Sequence, residues 1–140
     1  MSSIAHFAFP LRVYWEDTDA GGIVFYANYL RFMERGRTEW LRSLGIAQQA
    51  LRDEIGGMFV VSDTTIKYHR SARLDDALWV TTRILDAGRA SITLAQQVLL
   101  QGQAHAEVLL AEGTIRIGWV DASSLKPGRI PTAILEKLTS

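Results

Sequence analysis

Residues 27–44, ANYLRFMERGRTEWLRSL, carry the clearest periodicity in the 140-residue chain. Tyr29, Met33, Gly36, Trp40 and Leu44 recur at spacings of four, three, four and four. That spacing places them on one stripe of an α-helix and leaves Arg31, Glu34, Arg35, Thr38 and Arg42 for other faces. Asn28 stands where a side-chain oxygen caps a first turn, and Gly45 stands just past the last. Gly36 costs about 1 kcal/mol against alanine in a helix interior. The expected compensation is close approach to a sheet at that point.

Working outward, residues 7–15 (FAFPLRVYW) are rich in β-formers and predict a first strand. Residues 47–55 predict a second, shorter helix ending before Gly56 and Gly57. From residue 58 the chain turns to strand-like runs: MFVVSDTTIKYH, ALWVTTRIL, ASITLAQQVLLQ and AHAEVLLAEGTIRIGWV. In the last of these, Ala106, Val108 and Leu110 alternate with His105, Glu107 and Leu109. Turns fall at 71–76, 87–89 and 101–103, and such short connections favour antiparallel pairing. Pro10, Pro127 and Pro131 are the three prolines, so the long stretch between the first two lacks this breaker. A short helical stretch is expected from about Pro131. The predicted class is α+β, a five-stranded antiparallel sheet with one face covering the long helix. Its second face, its two edges and its apolar strands predict self-association.

Composition narrows the classes. Hydrophobic residues make up 48% and charged residues 21%, ordinary globular usage. Fifteen basic side chains balance fifteen acidic ones, so no global positive field attracts nucleic acid. The absence of cysteine excludes disulfides, thiolate nucleophiles and zinc–thiolate sites. No linker, repeat or low-complexity segment breaks the chain, so one domain over residues 1–140 is expected. MSSIAHFAFP lacks a basic and apolar leader, and no apolar run is long enough to span a membrane. A soluble cytoplasmic protein is the expectation. His6, His69 and His105 lack metal-ligand spacing and read as structural or surface residues; no metal and no redox cofactor is expected.

Residues 14–29, YWEDTDAGGIVFYANY, place Glu16, Asp17 and Asp19 in a glycine-containing turn just before the helix. A helix start offers unpaired main-chain N–H groups and a positive dipole end. Chemistry that builds negative charge on a carbonyl oxygen can use those donors, while a carboxylate in the turn attacks the carbonyl or activates water. The competing reading is that the acidic residues only stabilise the dipole.

The stretch RVYWEDTDAGGIVFYANY, continued by ERGRTEWLR, resembles the signature of the hot-dog-fold acyl-CoA thioesterases. More narrowly it is similar to the Tol-Pal-associated subfamily and to 4-hydroxybenzoyl-CoA thioesterase. ARLDD at residues 72–76, Asp121 and the Lys126–Pro127 tail extend the resemblance over roughly the whole chain. The resemblance implies a hot-dog fold with strand order 1-3-4-5-2, and homodimers whose sheets join, often paired again into homotetramers. It implies active sites at the subunit interface, acyl-CoA as substrate and hydrolysis to the free acid and CoA. An acyl carrier protein is a further partner on this reading.

Carried over residue by residue, Asp19 matches the catalytic carboxylate, as nucleophile or general base, and Asp17 organises the turn. Tyr26 matches the position whose main-chain N–H polarises the thioester carbonyl. Many Tol-Pal-associated members have histidine there, so this chain departs toward a mechanism resting on Asp19 and backbone donors. Asn28 either caps the helix or touches substrate, and Tyr29 belongs to the core stripe or to the pocket. Met58, Phe59, Val60 and Val61 open the strand facing the helix, to line an acyl pocket or simply pack the core. Arg89, Lys126 and Arg129 are candidates for the CoA phosphates or are solvated turn charges. Two other functions compete. A thioester hydratase or dehydratase would want a histidine near the helix start, which this chain lacks. A non-catalytic acyl-thioester or acyl-carrier-protein adaptor would not need Asp19.

Overall fold

The computed structural model describes residues 7–102 and 107–140. Strand β1 (Phe7–Arg12) leads through a tight turn to helix α1 (Asn28–Ser43). Three residues of helix α2 (Gln48–Ala50) run into a π-helical turn, Leu51–Ile55. Four strands follow, β2 (Gly57–Tyr68), β3 (Ala77–Ala87), β4 (Ser91–Leu100) and β5 (Val108–Asp121), then helix α3 (Thr132–Thr139). The sheet order is β1-β3-β4-β5-β2, every pair antiparallel, as expected. No helix among the described residues is long and apolar enough to cross a membrane.

Two predicted boundaries shift. The first strand ends at Arg12 rather than residue 15, because Trp15–Asp17 winds into a single 3-10 turn. The second helix is only a turn of α before its π turn, closed by Gly56 at φ +80°. Gln103, Ala104, His105 and Ala106, which the sequence assigned to a turn and the start of the last strand, lie outside the described residues, as does His6. Pro10 falls on β1, an edge strand, where a missing N–H breaks no interior ladder.

The period-2 pattern explains the core. Ile92, Leu94, Gln96 and Val98 of β4 alternate with half-buried neighbours, and Leu78, Val80 and Thr82 of β3 match them. Their inner face receives Tyr29, Phe32, Met33, Gly36, Trp40 and Leu41 of α1. Register shifts in the β2–β5, β3–β4 and β4–β5 pairs are the bulges that let the sheet bend around the helix. The helix then stops by a Schellman motif: Gly45 N–H donates to Arg42 and Ile46 N–H to Leu41, with Gly45 at φ +81°.

Gly36 has the compensation expected of it. A Cβ there would lie 2.6 Å from Val80 Cγ1 and 3.3 Å from Gln96 Nε2. The same closeness lets the buried Gln96 amide donate to the Met33 carbonyl and to Thr82 Oγ1, both at 2.9 Å. Arg37 Nη1 donates to Gln96 Oε1 at 3.0 Å, so the whole amide is satisfied. Burial pulls the Arg37 guanidinium's pKa down, against a smaller opposing pull from Glu34.

Gly36→Ala is therefore expected to destabilise the protein despite alanine's better helix propensity. Overpacking costs about 1–3 kcal/mol, against roughly 1 kcal/mol of propensity gained. A urea midpoint equal to or above that of the wild type would contradict this packing account.

Candidate active site

The turn between β1 and α1 is built around two carboxylates with opposite surroundings. Asp17 is buried, at 3% exposure. Its Oδ2 accepts the Tyr14 N–H at 2.8 Å, and its Oδ1 accepts from Asn28 Nδ2 at 2.9 Å. Each oxygen thus ties one end of the turn, which is the organising role expected of Asp17. Asp19 is exposed, two residues on. Its Oδ1 accepts the Gly21 N–H at 2.8 Å, while its Oδ2 has no hydrogen-bond partner among the described residues.

The chain then doubles back. Gly22 turns it at φ +79°, Asp19 N–H donates to Ile23 and Thr18 bridges Val24. Ile23 bridges Arg73, and Val24 N–H donates to Ala72, so the turn is stitched to the segment between β2 and β3. At the entrance to α1, the N–H groups of Asn28, Tyr29 and Leu30 are occupied by the carbonyls of Phe25, Tyr26 and Ala27. The main-chain N–H groups of Tyr26 and Ala27 have no acceptor among the described residues.

Asp19 and Tyr26 line one crevice of about 430 Å³, together with Val24, Phe25, Tyr29, Tyr68 and the segment from His69 to Ser71. Its aromatic wall is continuous. Tyr26 meets Tyr68 edge-on at 6.0 Å between ring centres, and Tyr68 meets Tyr29 at 5.6 Å. Tyr29 is 2% exposed and its hydroxyl accepts the Ala72 N–H at 2.9 Å, so it belongs both to the core and to the crevice. Burial raises the pKa of the Tyr29 hydroxyl, partly offset by that hydrogen bond. Burial, and then the neighbouring Tyr26, raise that of Tyr68. Both phenols are neutral at ordinary pH.

The other predicted residues fall elsewhere. Asn28 is not the helix cap: Ala27 occupies that position, and the Asn28 amide is spent on Asp17. Phe59 and Val61, not Met58 and Val60, turn toward α1, where they line a separate cleft with Glu34, Arg37 and Leu41. Side chains alternate along a strand, so a run of four cannot face one way. Met58 and Val60 do not border the Asp19 crevice. Neither do Arg89 and Arg129, both exposed. They lie beside one another in the fold, since Ile130 N–H donates to the Arg89 carbonyl, at the end of the sheet where β2 begins. The crevice lies where β2 finishes, about 36 Å away along the strand at 3.3 Å per residue.

Tyr68, Arg70 and Ser71 are crevice residues that sequence reading missed. They stand some fifty positions from Asp19 and carry no local motif; only the run of β2 beside α1 brings them in. His69 is a surface residue as expected, its Nε2 lying 2.8 Å from Glu112 Oε2. Among the described residues no group of three His, Asp or Glu side chains is placed to hold a metal ion.

The profile of the Thioesterase-like superfamily matches residues 13–138. The acyl-CoA thioesterase YbgC of Haemophilus influenzae is 41% identical over 128 residues, covering 91% of this chain and 90% of its own. The crystal structure of a probable thioesterase from Bartonella henselae superposes with a TM-score of 0.83 at 35% identity, covering 91% of this chain and all of the other (100%). That of 4-hydroxybenzoyl CoA thioesterase from Pseudomonas sp. strain CBS-3 reaches 0.85 at 20% identity, over 95% of this chain and 99% of that one, and speaks for the fold.

Removing the Asn28 amide strands a buried Asp17 oxygen. Asn28→Ala is expected to cost about 1–3 kcal/mol, the scale for a buried polar group losing its partner. The urea midpoint measures it; an unchanged midpoint would mean that the turn does not depend on this bond.

Proposed function

The chain belongs to the Thioesterase-like superfamily, and we propose that it hydrolyses acyl-CoA thioesters to the free carboxylic acid and CoA, with Asp19 as the catalytic carboxylate. The observation that carries this reading is the pairing, in one crevice, of an exposed carboxylate with Tyr26, whose main-chain N–H has no acceptor among the described residues. The Gly21 N–H holds Asp19 Oδ1, which orients the side chain and leaves Oδ2 to act.

The thioester carbonyl oxygen takes the Tyr26 N–H, and the carbonyl carbon then faces Asp19. Either of two routes closes the balance. In one, Asp19 attacks the carbon, the C–S bond breaks, CoA leaves as thiolate, and water splits the resulting acyl–aspartyl anhydride. In the other, Asp19 takes a proton from water as that water attacks, and the proton passes to the departing thiolate. Both pass through an oxyanion, and a main-chain donor already in place stabilises it without reorganisation. The Tyr26 phenol, 63% exposed and without a hydrogen bond among the described residues, has no part in either route. The enzyme works, on this reading, in the cytoplasm.

A second copy completes the site. Among the described residues the outer edge of β2 has no partner strand, and Val61 and Tyr68 on that strand are 48% and 44% exposed. Antiparallel pairing of two such edges sets the start of one β2 beside the end of the other. The joined sheets keep one inner face, so Phe59 and Val61 of one protomer, with Arg89 and Arg129 at that end of the sheet, then approach the Asp19 crevice of its partner. There the two guanidinium groups can take the CoA phosphates.

Asp19→Asn is expected to lower kcat for acyl-CoA hydrolysis by about 10²–10⁴-fold, while Tyr26→Phe stays near wild type. CoA release followed with a thiol reagent reads both. Unchanged turnover in Asp19→Asn would remove the mechanism, and a loss of about 10²-fold in Tyr26→Phe would give the phenol a role. Light scattering should find dimers or tetramers, and Val61→Asp should shift them toward monomer with lower kcat/KM. A wild-type protein that is monomeric at assay concentration would overturn the shared site.

A further inference from the structure

We infer that Tyr68, backed by Tyr29, closes the acyl end of this crevice and so limits the enzyme to short acyl groups, a few carbons or a single ring. The inference rests on the reading above, which sets the thioester carbonyl between Asp19 and the Tyr26 amide.

From that carbonyl the substrate has two arms. One side of the crevice is polar, with Arg70 and Ser71 on its rim and Arg73 beside them in the adjoining cleft. That side suits the amides of the CoA arm, with donors for their carbonyls. The other side is aromatic, formed by Phe25, Tyr26, Tyr29 and Tyr68. The acyl arm belongs there, since apolar surface is transferred favourably onto apolar surface.

The aromatic side has a filled floor. Tyr29 is nearly fully buried and anchored through its hydroxyl to the Ala72 N–H. Phe32 stands behind it at 5.8 Å between ring centres, and Phe32 and Met33 are both 0% exposed. Side chains packed behind Tyr29 leave an acyl chain no way beneath its ring. Tyr29 is thus a fixed floor. Tyr68 is different: it is 44% exposed, its hydroxyl has no hydrogen bond among the described residues, and edge-on ring contacts hold it. It is a wall that a longer acyl group would have to push aside. Such contacts discriminate by size, because each methylene that fits or fails to fit changes relative kcat/KM by about 10-fold or more.

Butanoyl-, benzoyl- and hexadecanoyl-CoA, hydrolysed by the full chain, test this. The wild type should prefer the first two. Tyr68→Ala should raise the hexadecanoyl-to-butanoyl ratio of kcat/KM by about tenfold, and Tyr68→Phe should leave the ratio unchanged because the ring, not the hydroxyl, forms the wall. A wild type that favours hexadecanoyl-CoA, or an unaltered ratio in Tyr68→Ala, overturns the inference. Should circular dichroism show Tyr68→Ala unfolded, Tyr68→Leu tests the same ratio on a bulkier replacement. The catalytic reading fails separately: Asp19→Asn would then stay active on every chain length, whatever the ratio does in the Tyr68 variants.

Discussion

The close contact between α1 and the sheet at Gly36 governs the rest of the molecule. A side chain there would collide with Val80, and hydrogen alone lets the helix backbone settle within reach of the Gln96 amide. That amide is fully satisfied by Met33, Thr82 and Arg37, so it fixes where along the sheet the helix sits. A purely apolar contact would tolerate sliding; a buried amide with directional partners does not. The seating places the first turn of α1 at the end of β2, and the crevice is the space between them.

Within the turn ahead of α1, two carboxylates two residues apart are put to opposite uses. Asp17 is withdrawn from water and spends both oxygens on the turn itself. Asp19 faces out, with one oxygen restrained by Gly21 and the other without a partner among the described residues. The buried group makes the geometry stiff enough for the exposed one to be aimed. A catalytic group on an unsupported loop would lose that orientation, and orientation accounts for much of what a positioned group contributes. Gly21 leaves that contact relaxed, since a Cβ there would stand 3.3 Å from Asp19 Oδ1 and ask the carboxylate to shift slightly.

The sheet divides the chemistry between its two ends. Asp19, the Tyr26 main chain and the aromatic wall gather where β2 and β4 finish. Arg89 and Arg129 gather where those strands begin. One chain cannot bend the two ends together, because a strand of twelve residues is a rigid spacer. An unpaired antiparallel edge is the simplest device for bringing opposite ends of two copies into register. On the proposed reading, catalysis and assembly are coupled through one strand.

The order of elements was legible from periodicity alone: the four-three-four-four stripe of α1 and the alternating runs of β2 to β5 are properties of local spacing. So was the need for a close approach at Gly36, because a glycine inside so regular a helix has few other uses. Asp19 stood out because its turn precedes a helix start, and the motif around it supplied its expected role. What sequence could not decide was which residues meet. Reading residues 58–61 as one face ignored the alternation that separates Met58 and Val60 from Phe59 and Val61. Asn28 looked like a cap because caps are local, whereas its partner is Asp17, brought alongside by the fold of the turn. Tyr68 and Arg70 carry no signal of their own. Local spacing encodes the elements, but contacts across fifty residues are settled only when the helix seats against the sheet.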